Sequence, residues 1–191
     1  GSEMCIRDRW EPTLDGLVAR IHLAGDDSPR ELVLPVPGEH MALNALAALI
    51  AVRDYGGDVS EALEALTHFG GVNRRFQYHG HVGGIRVYDD YAHHPTEARA
   101  VLTAAREVAD ADAQGLGHPG RVIVCFQPHL FSRTEQFAEE FAKALDLADY
   151  AIVLDIYGAR EKPIPGVTSE LITTQLTIPH KYQPDLSLIH I

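Results

Sequence analysis

Two apolar runs constrain this chain more than any other feature: RVIVCFQ at residues 121–127 and YAIVLDIY at 150–157. Each is apolar almost throughout, the pattern of a strand covered on both faces. Between them Phe137, Phe141 and Leu145 form a helical stripe behind Ser132 and Glu135, whose separation is that of a capping box. Upstream, Ala98, Val101, Leu102 and Ala105 repeat at helical spacing, and Pro95 suits a first helical turn, so a helix is expected over 95–109. Before it lies a third strand, IRVYDD at 85–90. Strand, helix, strand, helix, strand implies an α/β domain with a mainly parallel sheet and right-handed crossovers.

The chain before residue 70 has a different rhythm. LVARIHL at 17–23 alternates, and ELVLPVP at 31–37 follows across the turn-rich AGDDSP, which predicts a hairpin. HMALNALAALIAVRDYGG at 40–57 predicts a helix stopped by Gly56 and Gly57, and a second helix is expected over about 60–68. FGGVNRRF at 69–76 breaks the pattern, so a domain junction is placed there, dividing 10–70 from 71–180. RFQYHGHV and IRVYDD flank Gly83-Gly84, a second hairpin signal.

Both ends read as foreign to the fold. MCIRD at 4–8 and LSLIHI at 186–191 can be encoded by stretches that are near reverse complements of each other, and they resemble the two edges of a translated sequencing adaptor. Residues 1–9 and 186–191 are therefore expected to be non-native and are set aside, as any such scar would be. Cys125 is then the one remaining cysteine, which fits a reducing, cytoplasmic setting rather than a disulfide framework. The net charge of -11 argues against a nucleic-acid partner, since phosphate binding needs a basic face. No apolar run is long enough to span a membrane.

The placement of polar residues points to function. The expected strands end in Asp89-Asp90, in Gln127-Pro128-His129, and in Asp155 and Tyr157. Ligands of open α/β sheets bind beyond the carboxyl ends of the strands. The segment DDYAHHPTE at 89–97 is accordingly expected on the rim of a ligand cleft. Its carboxylates and imidazoles are metal-ligand types, but adjacent side chains diverge at a turn, and no dedicated metal site is assigned. The plain alternative is an aspartate capping the helix beside solvated histidines. Arg75, in the Arg74-Arg75 pair at the junction, is either a solvated basic residue or one that reaches a phosphate, where a guanidinium's fixed charge and forked donors help. Arg133 lies in the first turn of a helix, a position suited to a carboxylate or phosphate, or it is a surface residue. His40 and Asn44 share one helix face, and an asparagine there could meet the donor and acceptor of an adenine edge.

Taken in order, GEHMALNALAAL, GVNRRF, DDYAHHPTE, FQPHLFSRT and DIYGAREKPIPGV resemble the Mur ligases over residues 14–175. The resemblance implies the end of a central ATP-binding domain followed by most of a C-terminal Rossmann-like domain. The implied reaction is ATP-dependent joining of L-alanine to the carboxylate of UDP-N-acetylmuramate through an acyl phosphate, a step of peptidoglycan precursor synthesis, with ATP and Mg2+ as cofactors. A sister ligase that recycles murein tripeptide shares the AHHPT segment. A non-catalytic nucleotide- or amino-acid-binding domain and a metal-dependent hydrolase are the readings from other classes.

Carried over residue by residue, the resemblance makes Asn44 an adenine contact with His40 beside it, Arg75 the γ-phosphate arginine and Asp90 a nucleotide contact. Tyr91, His93 and Arg133 line the amino-acid and acyl-phosphate site, and Arg75, His93 and Arg133 carry the chemistry. Met41 stands where many members have Asn, and Leu130 where many have Arg. The sequence contains no G-x-x-G-K-[ST] phosphate loop, and the main magnesium ligands are expected elsewhere. The chain is expected to stop soon after SELITTQ, where the resemblance implies that the family continues with a further strand and loop.

Overall fold

The computed structural model describes residues 5–13, 16–114 and 119–184. The chain forms two compact units, which part between Tyr91 and Ala92.

In the first unit, β1 (Cys5–Thr13), β2 (Gly16–His22) and β3 (Arg30–Leu34) form an antiparallel sheet in that order. β2 and β3 are the hairpin read from the alternation. Leu17, Ala19 and Ile21 point one way and are almost completely buried, as period-two alternation requires. Gly16 is needed where the two strands meet, because a Cβ there would sit 2.0 Å from the Leu34 carbonyl oxygen. Residues 5–9, set aside as foreign, continue β1. The ladder is in register from Trp10 to Thr13 and irregular between Ile6 and Trp10. Residues 1–4 and 186–191 lie outside the described residues.

α1 (Glu39–Asp54) lays Ala42, Ala45, Leu46 and Leu49 on this sheet, and α2 (Val59–Thr67) adds Val59, Leu63 and Leu66. Gly56, at φ +80, follows the α1 C-cap in the left-handed region a helix stop favours. Asp58 caps α2 by accepting the Ser60 amide at 2.6 Å. β4 (Gln77–Val82) and β5 (Ile85–Asp89) close a hairpin through Gly83 and Gly84, both at positive φ, as a tight primed turn demands.

The second unit holds α3 (Pro95–Ala113), β6 (Ile123–Phe126), α4 (Phe131–Leu145), β7 (Tyr150–Val153), α5 (Glu170–Thr173) and β8 (His180–Tyr182). β6, β7 and β8 pair in parallel, in that order. The third strand of the parallel sheet is thus β8, after SELITTQ, and not residues 85–90. β5 takes β4 as its antiparallel ladder partner across the two-glycine turn.

The core of this unit joins Leu102 of α3, Phe141 and Leu145 of α4 and Ile172 of α5 to Phe126, Ala151 and Val153 of the sheet. All three helices therefore serve one face. Sequential parallel strands with same-handed crossovers put α4 and α5 on the same side, and α3 joins them there by packing Leu102 into the same core. On β6 the opposite face carries Ile123, 59% exposed, and the exposed Cys125. The apolar run at 121–127 is consequently covered on one face among the described residues, not on both.

Candidate functional site

In the first unit, the turn GVNRRF is built around Arg75. Arg74 and Phe76, on either side, both adopt positive φ, +59 and +46. Such values are uncommon for side chains with a Cβ and need support from neighbours. That support is visible. The Phe76 amide donates to Asp90 Oδ2 at 2.7 Å, and the buried Phe76 ring stacks on Tyr88 at 4.5 Å. The Arg74 amide donates to Gln77 Oε1 at 2.8 Å, and its carbonyl accepts the Tyr91 amide at 2.8 Å. The Arg74 guanidinium lies 4.7 Å over the Tyr91 ring and 3.7 Å from the Asp89 carboxylate. Arg75 is left exposed between two anchored neighbours.

His40 sits in the first turn of α1, half-buried, and Asn44 is exposed one turn on. Burial lowers the His40 pKa; the Asp90 carboxylate pulls it back up and the Arg75 cation pushes it down. His40, Arg75 and Asp90 are thus within electrostatic reach of one another. Met41 is buried.

In the second unit, the opening of α3 explains most of the AHHPTE cluster. His94 is the N-cap, accepting the Thr96 amide on Nδ1 at 3.3 Å, and Glu97 reaches back to the His94 amide at 3.2 Å. Histidine here does the work of the serine or aspartate of a usual capping box. Glu97 also accepts the His93 amide at 3.0 Å and lies 3.4 Å from His93 Nδ1. Arg133 Nη1 donates to the His93 carbonyl at 3.1 Å. His93 and Arg133 are therefore in direct contact.

The parallel strands bring further groups to their carboxyl edge. Gln127 Nε2 donates to the Asp155 carbonyl at 3.4 Å. The Tyr182 hydroxyl donates to the Asp155 carboxylate in a short hydrogen bond, which pushes the Tyr182 pKa up to about 12. His129 pairs with Tyr157 in a one-residue parallel bridge, and its ring lies 5.5 Å from Tyr157 and 5.9 Å from His93. His129 Nδ1 is buried without a hydrogen-bond partner among the described residues. Burial, followed by the Arg133 and His93 charges, lowers its pKa and favours the neutral ring.

The start of α4 differs from the sequence expectation. The helix begins at Phe131, with Leu130 as N-cap at φ +76 and no capping side chain of its own. Ser132 is inside the first turn, so Glu135 is not its capping partner. The cap comes instead from Glu161, which accepts the Ser132 amide at 3.0 Å and the Ser132 hydroxyl at 2.5 Å. The helix end expected to face an anionic ligand already holds a carboxylate of the chain itself. Tyr182 and Glu161 were not among the residues singled out from the sequence. The polar ending of the strands was the one signal that pointed toward them. Among the described residues, no three histidine, cysteine or acidic side chains converge as a metal site.

Residues 74–189 match the family model described as Mur ligase, glutamate ligase domain. The UDP-N-acetylmuramate--L-alanine ligase of Nocardia farcinica is 55% identical over 182 residues, covering 94% of this chain and 36% of the relative. The Rhodococcus jostii protein of the same name is 57% identical over 179 residues, covering 90% and 36%. The crystal structure of UDP-N-acetylmuramate-alanine ligase MurC from Thermotoga maritima superposes with a TM-score of 0.74 at 31% identity, covering 96% of this chain and 39% of that one. The chain thus spans little more than a third of the length of these relatives.

Proposed function

Given that the chain belongs to the Mur ligase family, we propose that it is a segment of an ATP-dependent ligase joining L-alanine to the carboxylate of UDP-N-acetylmuramate. The observation that carries this reading is the 55–57% identity to two ligases of that name across nine-tenths or more of the chain. The same reading assigns 10–70 to the end of the central ATP-binding domain and 71–180 to the C-terminal domain. It places the reaction in peptidoglycan precursor synthesis in the cytoplasm. No helix among the described residues is long and apolar enough to cross a membrane.

The chemistry divides between the two units. On the nucleotide side, Arg75 offers a permanent positive charge to the γ-phosphate, and a cation aimed at a transferring phosphoryl group acts most strongly where water is excluded. His40 and Asn44 present one face of α1 to the base, and Asp90 holds the turn that carries Arg75. Mg2+, when bound, neutralises phosphate charge, and its main ligands are assigned outside this segment.

On the amino-acid side, Tyr91, His93 and Arg133 are assigned to the L-alanine and acyl-phosphate end, and His93 and Arg133 meet through a hydrogen bond. Transfer of the γ-phosphoryl group makes the lactyl carboxylate an acyl phosphate. The free amine of L-alanine then attacks the carbonyl carbon, the tetrahedral intermediate collapses, and phosphate leaves as the amine loses its proton. Arg133 suits the substrate carboxylate because its forked donors match two oxygens.

The test is a chimera in which residues 10–184 replace the matching segment of the Rhodococcus jostii relative. The expected result is phosphate release that needs ATP, UDP-N-acetylmuramate and L-alanine together. A folded chimera that instead consumes murein tripeptide, or none of these, overturns the assignment.

A further inference from the structure

We propose that Glu161 is a positioning residue that sets Arg133 for the carboxylate of the amino-acid substrate, an inference that rests on the ligase reading above. The observation is a cap delivered from another crossover. Two backbone hydrogen bonds zip the loop after β6 to the loop after β7: Leu130 N–H to the Tyr157 carbonyl at 2.9 Å, and Tyr157 N–H to the Pro128 carbonyl at 2.8 Å. The chain then turns sharply. Ala159 adopts φ +50, and the Glu161 amide donates to the Gly158 carbonyl at 2.8 Å. Gly158 is required in this turn, because a Cβ would lie 2.7 Å from Phe131 Cε2. The turn therefore presses on the first residue of α4 and delivers the Glu161 carboxylate to its N-terminus.

There the carboxylate takes the Ser132 amide and the Ser132 hydroxyl. These two bonds, with smaller help from the Phe131 amide and the Arg133 charge nearby, hold its pKa below the usual range. Exposed helix amides and a carboxylate are matched by both hydrogen bonding and the helix dipole.

Arg133 is the next residue along. Its Nη1 is already engaged with the His93 carbonyl, so its direction depends on two anchors: His93 at one end and the first turn of α4 at the other. Leu130 contributes no capping side chain and has a left-handed backbone, and while the Thr134 hydroxyl holds the Leu130 carbonyl at 2.9 Å, the carboxylate that caps the first-turn amides is not local. Glu161 supplies it from 29 residues away. Loss of Glu161 frees the turn while leaving Arg133 present, which would misdirect the guanidinium rather than remove it.

The experiment uses the chimera described above. Glu161→Ala is expected to raise KM for L-alanine about tenfold while kcat and KM for ATP change less than about twofold, the signature of lost ground-state binding at one substrate. Glu161→Gln, which keeps one acceptor, is expected to recover part of that loss. Ser132→Ala combined with Glu161→Ala is expected to add little to Glu161→Ala alone, because the two act through one contact. A fall in melting temperature with unchanged KM for L-alanine overturns the proposal and leaves a cap of purely structural value. Equal losses in both substrates overturn it as well. Inactivity of the unsubstituted chimera counts against the ligase reading instead. The positioning claim is then read in the 191-residue chain, where Glu161→Ala is expected to shift the Arg133 Nε–H resonance; an unmoved resonance overturns it.

Discussion

The Asp90 carboxylate accepts the Phe76 amide proton at 2.7 Å, 14 residues back in the chain. That bond stabilises a residue at φ +46, and Arg75 sits between Phe76 and the equally left-handed Arg74. An aspartate assigned by resemblance to the nucleotide is thus also the anchor of the turn that presents Arg75.

Asp90 substitutions should therefore separate the two roles. Asp90→Ala leaves a part-buried amide unsatisfied at a strained position and is expected to destabilise the chain by about 1–3 kcal/mol. Asp90→Asn keeps an acceptor and should cost clearly less in stability. Urea unfolding of both variants checks this; equal losses would show that the bond to Phe76 contributes little.

Glu97 makes a similar prediction in the second unit. Its carboxylate accepts two amides, of His93 and His94, at the start of α3. Glu97→Ala is expected to lower stability by about 1 kcal/mol, the usual cost of a lost helix cap. Because the His93 carbonyl also holds Arg133, the Arg133 side-chain resonances should move in the same variant. A stability loss with static Arg133 resonances would show that the α3 start and the α4 start are not coupled through His93.

How much of this was legible in the sequence depended on the range of the interactions. Gly83-Gly84, Gly56 and the alternation over residues 17–23 act within a few residues, and the corresponding turn, helix stop and strand lie where the sequence put them. Ser132 and Glu135 also looked local and were misleading, because the spacing of a capping box carries no information about a competing carboxylate 29 residues away. With Leu130 at positive φ as the N-cap, the helix starts two residues earlier than the Ser132–Glu135 spacing implied, which puts Ser132 inside the first turn. Strand 85–90 was assigned to the parallel sheet from the alternation of strands and helices along the chain, and the hydrogen-bond partners of a strand are not encoded in its own residues. His94 as a cap was missed because histidine is a rare acceptor in that role, although Pro95 and Glu97 marked the helix start correctly.

Tyr182 yields a prediction in pH. The hydrogen bond to Asp155, then burial, then the Asp155 and Glu170 charges raise its pKa from 10.0 to about 12. The neutral phenol is the form favoured in the folded chain. Its contribution to stability is therefore complete below pH ~10 and is lost as the pH rises toward ~12, where the folded chain also gives up the proton. Ultraviolet titration of tyrosinate should show one late-ionising tyrosine that disappears in Tyr182→Phe. A late component that persists in that variant would assign the raised pKa to another tyrosine.

The chain by itself is expected not to ligate L-alanine to UDP-N-acetylmuramate. Positioning alone is worth roughly 7–11 kcal/mol of barrier in reactions between bound partners. The groups available here cover only part of that task. Under the proposed assignment Arg75 would meet a γ-phosphate and Arg133 with His93 an amino acid, but the sequence has no phosphate loop to cradle the β- and γ-phosphates. Weak binding of ATP to the first unit or of L-alanine to His93 and Arg133 of the second is expected to survive such a division. Turnover is expected not to, because a nucleotide whose phosphates are met by Arg75 alone samples many orientations for every reactive one. A coupled phosphate assay on the purified chain with ATP, Mg2+, UDP-N-acetylmuramate and L-alanine is expected to match the buffer blank, while the chimera releases phosphate under the same conditions. Release by the chain alone that required all four components would mean that a complete phosphate-holding site resides in these 191 residues.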